Sequence, residues 1–133
     1  MADRDLIKTT AAALLTAGFI VGLDKQSAEA QESNEGQIAF NNACRTCHTT
    51  DEGDNRLGPN LHDIIGRKAG AAEGYNYSSA MKNAGFTWDE AKLDEFIANP
   101  DAVVSGNNMK PFSGITDEAE RKKIVDYLVS EGK

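Results

Sequence analysis

Apolar positions in this chain recur at helical spacing, in four stretches separated by long irregular segments. Ser33 or Asn34 can cap a first helix running through Ile38, Ala39, Phe40 and Ala43. Gly36 and Phe40 are four apart and share a face. A small residue beside a large one lets a second helix cross closely. A short helix is expected over Ser78 to Asn83. Thr87-Trp88-Asp89-Glu90 reads as a capping box opening a third helix, with Leu93, Phe96 and Ile97 as its apolar face. Pro100 should end that helix at Asn99. Thr116 caps the last helix, whose first turn holds Asp117, Glu118 and Glu120, favourable against the helix dipole. Ile124, Tyr127 and Leu128 form its buried stripe, and Gly132 is the stop. No stretch alternates as a strand would, so the expected class is all-α, three to five helices with long loops.

The loops change the picture. Residues 49–74 are dense in turn formers, with Leu57, Leu61, Ile64 and Ile65 as expected inward anchors. Asp101 to Ile115 reads as a second loop, carrying Gly106, Pro111 and Gly114. Irregular segments this long belong in a compact domain only when they are functional or line a bound group.

The N-terminus reads differently from the rest. Residues 9–23 form an uncharged, mostly apolar run, shorter than the roughly 20 apolar residues a membrane span needs. A polar stretch and Ala28-Glu29-Ala30 follow, so residues 1–30 read as a secretory signal peptide. Asp3 and Asp5 dilute the positive charge of Arg4 and Lys8, which keeps an uncleaved N-terminal anchor as the alternative. The domain is then 31–133, with eleven Lys and Arg against seventeen Asp and Glu, a formal charge of −6. That acidity argues against nucleic acid and anionic membrane surfaces as partners. The expected state is a periplasmic monomer, membrane-bound only if the N-terminal segment stays.

The chemistry concentrates in Cys44-Arg45-Thr46-Cys47-His48. Two cysteines three apart, followed directly by histidine, have the spacing for covalent haem attachment. Each thiol adds across one vinyl group, and His48 can offer an imidazole nitrogen to iron. Three other readings compete: a dithiol redox pair, half of a zinc site, or a structural disulfide. The first lacks the accompanying strand–helix alternation. The second lacks ligands, since the chain has two cysteines and two histidines in all. The third leaves the adjacent histidine unexplained. Thioether formation would also remove a thiol pair that an oxidising compartment threatens. A domain of about a hundred residues gains from packing on a buried haem.

A second iron ligand has few candidates. Met1 would leave with the signal peptide, Met81 falls in the short middle helix, and His62 is only fourteen residues after His48. Met109 sits mid-loop in Gly106-Asn107-Asn108-Met109-Lys110-Pro111-Phe112, away from any helical stripe, and is the expected sulfur ligand. A thioether favours Fe(II) and raises the reduction potential relative to a second imidazole. With both axial positions filled, electron transfer is favoured over oxygen chemistry.

On these residues the chain resembles class I cytochromes c, from about Gly36 to Leu128, in the mitochondrial and α-proteobacterial style. Gly36 and Phe40 match the first-helix positions that cross the last helix, with Tyr127 as the aromatic partner. Gly58-Pro59-Asn60-Leu61 is similar to the loop whose proline carbonyl accepts the ligand histidine's other N–H, which implies that Pro59 orients His48. Gly66-Arg67-Lys68-Ala69-Gly70, Tyr75-Asn76-Tyr77 and Gly85-Phe86-Thr87-Trp88 match as well, implying that Arg67, Tyr77 and Trp88 hold the haem propionates. The resemblance places Asn107 and Phe112 against the haem beside Met109.

The departures are specific. Phe96 stands where the family often has a tyrosine, and two residues rather than one separate Met109 from Phe112. Asn108 and Ala43 replace lysines of the mitochondrial forms. The resemblance implies a cytochrome c fold around one haem c and a carrier of single electrons, not an enzyme. Its partners would be redox proteins: a quinol-oxidising complex, an oxidase, a reaction centre or a dehydrogenase. A complex-bound subunit, and a peroxidase or ligand sensor with a labile sixth ligand, are the alternatives.

Overall fold

The computed structural model describes residues 23–132, so residues 1–22 of the expected signal peptide or anchor lie outside the described residues. Five helices follow in order: α1 Leu23–Ala43, α2 Ser79–Lys82, α3 Glu90–Ala98, α4 Pro100–Val103 and α5 Glu118–Glu131. Among the described residues the sole β pairing is an isolated antiparallel bridge between Lys68 and Thr87. The all-α expectation holds.

Helix α1 begins well before Ser33 and Asn34, which lie inside it rather than capping it. Nothing between Leu23 and Gly36 breaks a helix, and both polar side chains point to solvent there, where they cost little. The described side chains from Lys25 to Glu35 are exposed; packing starts at Gly36. A Cβ on Gly36 would stand 2.7 Å from the Lys123 carbonyl oxygen and 2.8 Å from Tyr127 Cβ of α5. The crossing therefore needs glycine, which mid-helix costs about 1 kcal/mol relative to alanine. One turn on, Phe40 meets Tyr127 with ring centroids 5.3 Å apart, both rings buried. Such a pair adds about 0.5–1.5 kcal/mol beyond its area.

The other helix starts shift by local competition. The short helix expected over Ser78 to Asn83 spans Ser79–Lys82, with Ser78 as its N-cap, accepting from the Met81 N–H, and Asn83 as its C-cap. Thr87 does not cap α3, because residues 86–88 are drawn into extended pairing: Trp88 N donates to Arg67 O, and Ala69 N to Phe86 O. Asp89 takes over, its carboxylate accepting from the Lys92 N–H at 2.7 Å. The second loop contains α4, since Asn99 caps and Pro100 fills the first helical position. Asp117, not Thr116, caps α5, with Gly132 at its end.

Helices α1, α3 and α5 bury Phe40, Leu93, Phe96, Ile97, Ile124 and Leu128 against one another and against Trp88. Arg121 fastens α5 to α3, donating to Asp94 at 2.8 Å and to the Ile115 and Thr116 carbonyls. In the 49–74 loop, Ile64 is buried and Leu61 half-buried, as expected of anchors. Ile65 is exposed and is no anchor; Leu57 lines a cavity, but its side chain is 75 % exposed and does not hold the loop by burial in the protein core. Leu57 is pinned by its backbone instead, its carbonyl accepting from the Tyr75 hydroxyl and its neighbour Gly58 N donating to Cys47 O.

Candidate haem site

The helical chain path continues for one turn beyond α1. Cys44 N donates to Phe40 O, and Cys47 N and His48 N both donate to Cys44 O. This turn aims Cys44, Cys47 and His48 at one cavity of about 630 Å³. Burial, helped by the neighbouring Cys47, pushes the Cys44 thiol up to about 12.

His48 is 7 % exposed. Its Nδ1 lies 2.7 Å from the Pro59 carbonyl oxygen, which can only accept, so Nδ1 carries the proton and Nε2 keeps a free lone pair. Burial lowers the His48 pKa, and the Arg67 charge lowers it further against the Pro59 bond. The imidazole is thus held neutral, as a metal ligand must be. Gly58 lies flat on the ring; a Cβ there would fall 2.3 Å from His48 Cε1.

Arg67 is half-buried and donates only to neutral oxygens: the Asn60 carbonyl at 2.6 Å, the His62 carbonyl at 3.0 Å and Asn60 Oδ1 at 3.4 Å. Burial lowers its pKa. No salt bridge offsets its charge among the described residues. The Tyr77 hydroxyl accepts from Ala72 N at 3.2 Å, and burial raises its pKa. Trp88 stacks edge-on between Phe86 and Phe96, with centroid distances of 4.7 and 5.2 Å. A half-buried cation with no ion pair among the described residues, beside phenol and indole donors, fits an anionic carboxylate group.

Met109 comes to the same cavity on the chain after α4. Its N–H donates to Asn107 Oδ1 at 2.9 Å, and Asn107 is 4 % exposed. Phe112 and Phe96 add apolar wall. All ten residues singled out in the sequence, Cys44, Cys47, His48, Pro59, Arg67, Tyr77, Trp88, Asn107, Met109 and Phe112, line this cavity. His62 does not: it bonds the Thr50 carbonyl and faces Asp63. Met81 is a buried wall residue. Sequence reasoning gave no role to Tyr75, which fixes the Leu57 rim, or to Asp101, which bonds Asn107. Tyr75 sat in a quoted motif; Asp101 had no local signal.

A large apolar cavity, two thiols and a neutral imidazole on one wall, and an unpaired guanidinium at another fit a haem. The family model described as Cytochrome c matches residues 33–131. Cytochrome c-554 of Methylosinus trichosporium is 42% identical over 108 residues, covering 80% of this chain and 80% of that protein. Cytochrome c2 of Rhodoblastus acidophilus is 44% identical over 100 residues, covering 74% and 92%. The solved structure of cytochrome cH from Methylobacterium extorquens superposes with a TM-score of 0.67 at 38% identity, covering 74% of this chain and 97% of that one. The chain belongs to the cytochrome c family. It carries one haem c, covalently bound through Cys44 and Cys47, and its role is electron transfer.

Proposed function

We propose that the protein is an exported, periplasmic carrier of single electrons whose haem iron is held by His48 Nε2 and the Met109 sulfur. When bound, the haem supplies a one-electron Fe(III)/Fe(II) couple. The observation that carries the reading is the Pro59 carbonyl 2.7 Å from His48 Nδ1, which turns Nε2 into the cavity that Met109 also lines. Arg67, Tyr77 and Trp88 are assigned to the propionates, and Phe96 and Phe112 to excluding water. No Asp or Glu lines the cavity among the described residues, which leaves a peroxidase-like reaction without a carboxylate proton donor. This supports a carrier with redox-protein partners over an enzyme.

Export is supported by the apolar run before Ala28-Glu29-Ala30 and by the exposure of the described side chains of α1 up to Glu35, including Lys25 and Ser27 to Ala30 on the side that cleavage would remove. The continuity of α1 across Ala30 favours a second version, in which the segment is retained and tethers the carrier. No described helix is long and apolar enough to cross a membrane. N-terminal sequencing of the purified protein separates the two versions.

An optical redox titration tests the ligand set. The holo-protein is expected to show a single one-electron wave and an iron–thioether charge-transfer band. Met109→Ala should drop the midpoint by about 100 mV or more, within the ~0.8 V that axial ligation spans. A variant keeping both the potential and the band refutes the assignment.

A further inference from the structure

We propose that Asp101 is a positioning residue, a latch that holds the Met109 loop shut over the iron. Its carboxylate is shared between the two residues that bracket Met109. Oδ1 accepts from Asn107 Nδ2 at 2.9 Å, and Oδ2 accepts from Lys110 Nζ at 2.5 Å. Asn107 passes the constraint inward: its Oδ1 accepts from the Met109 N–H at 2.9 Å, while its Nδ2 also donates to Val104 O at 2.9 Å. The buried amide of Asn107 is thereby fully committed and has one low-energy orientation.

The carboxylate stands on a fixed base. Pro100, at the first position of α4, is among the most completely buried side chains, and Asn99 caps the helix through the Ala102 N–H. Asp101 therefore joins a rigid element to a loop otherwise held by few bonds. The two arms differ. The Lys110 arm is exposed on both sides, so salt and solvent screen it. The Asn107 arm ends on a buried donor that water cannot readily replace, so its loss leaves a buried N–H without an acceptor. Deleting the carboxylate frees the loop to swing, taking the sulfur away more often and leaving the sixth position open to exogenous ligands.

The inference rests on Met109 as the iron ligand. The test is imidazole binding to full-length ferric holo-protein, with the charge-transfer band and the urea midpoint read on the same samples. Asp101→Ala is expected to raise imidazole affinity about tenfold. Asp101→Asn, which keeps an acceptor for Asn107, should restore most of the wild-type value, and Lys110→Met should change affinity no more than about twofold. Asp94→Ala, which breaks the α3–α5 ion pair instead, should lower the urea midpoint and leave imidazole affinity alone. If wild type lacks the band, the ligand reading fails and the latch with it. If the band is present but Asp101→Ala binds imidazole as wild type does, or Asp94→Ala raises the affinity equally, the latch alone is overturned. Should Asp101→Ala not mature, the Asp101→Asn and Lys110→Met pair decides: both keep the inner arm, so a rise of about tenfold in imidazole affinity in either one contradicts an inner arm stronger than the outer.

Discussion

The two walls of the haem cavity are built on different principles. On the His48 side the backbone does the holding. Cys44 O gathers two N–H groups, Pro59 O fixes the imidazole tautomer, and Gly58 presses on the ring face. On the Met109 side the geometry runs through side chains, from Met109 N–H to Asn107 to Asp101, and ends on an exposed carboxylate. A backbone-held wall tolerates side-chain changes around it but not added volume. A relay-held wall tolerates volume and fails when one polar group is removed.

The largest expected effect tests the first half of that contrast. Gly58→Ala puts a methyl 2.3 Å from Cε1 of the His48 ring, which the Pro59 carbonyl holds in place, and should cost about 2–3 kcal/mol. The urea midpoint of the holo-protein reads this, and an unchanged midpoint would show that the wall gives. Asn107→Ala removes the acceptor of the Met109 N–H, a loss of about 2 kcal/mol. That loss should appear as weakening of the charge-transfer band at temperatures below global unfolding; simultaneous loss of both would merge the two walls into one unit. Gly36→Ala is the control outside the cavity. Its clash with the Lys123 carbonyl, offset by better helix propensity, should lower stability by about 1 kcal/mol while band and potential stay as in wild type.

Acid should separate the walls most gently. The hydrogen bond from Lys110, and after it that from Asn107, holds the Asp101 carboxyl below its ordinary 3.8. A carboxylate with a lowered folded pKa contributes fully above the unfolded value and loses its contribution as pH falls through the folded one. The latch is therefore intact above about pH 3.8 and weakens only below it. An acid titration of the charge-transfer band in Asp101→Asn should lack this last phase.

Local signals carried much of this. The Cys44–His48 spacing and the shared face of Gly36 and Phe40 were legible because each rests on residues within about one helical turn, whereas the Pro59 role and the Tyr127 partner came from the family resemblance. Helix starts were less so. Thr87 has the residue type of a cap, but pairing with Lys68, distant in sequence, claims its backbone. Leu57 reads as a core anchor by composition, yet its side chain lines the cavity and its own carbonyl, accepting from the Tyr75 hydroxyl, fixes the loop. Asp101 was invisible, since its partners lie six and nine positions away across an irregular loop, where no periodicity brings them together.

The Gly36 crossing ties the haem turn to the far side of the domain. Among the described residues α5 is the one helix that α1 lies against, and no side chain separates the two backbones where they cross. Helix α1 runs directly into the Cys44–His48 turn. Any tilt of α5 is thus carried, as by a short lever, to the wall that holds the tethered ring.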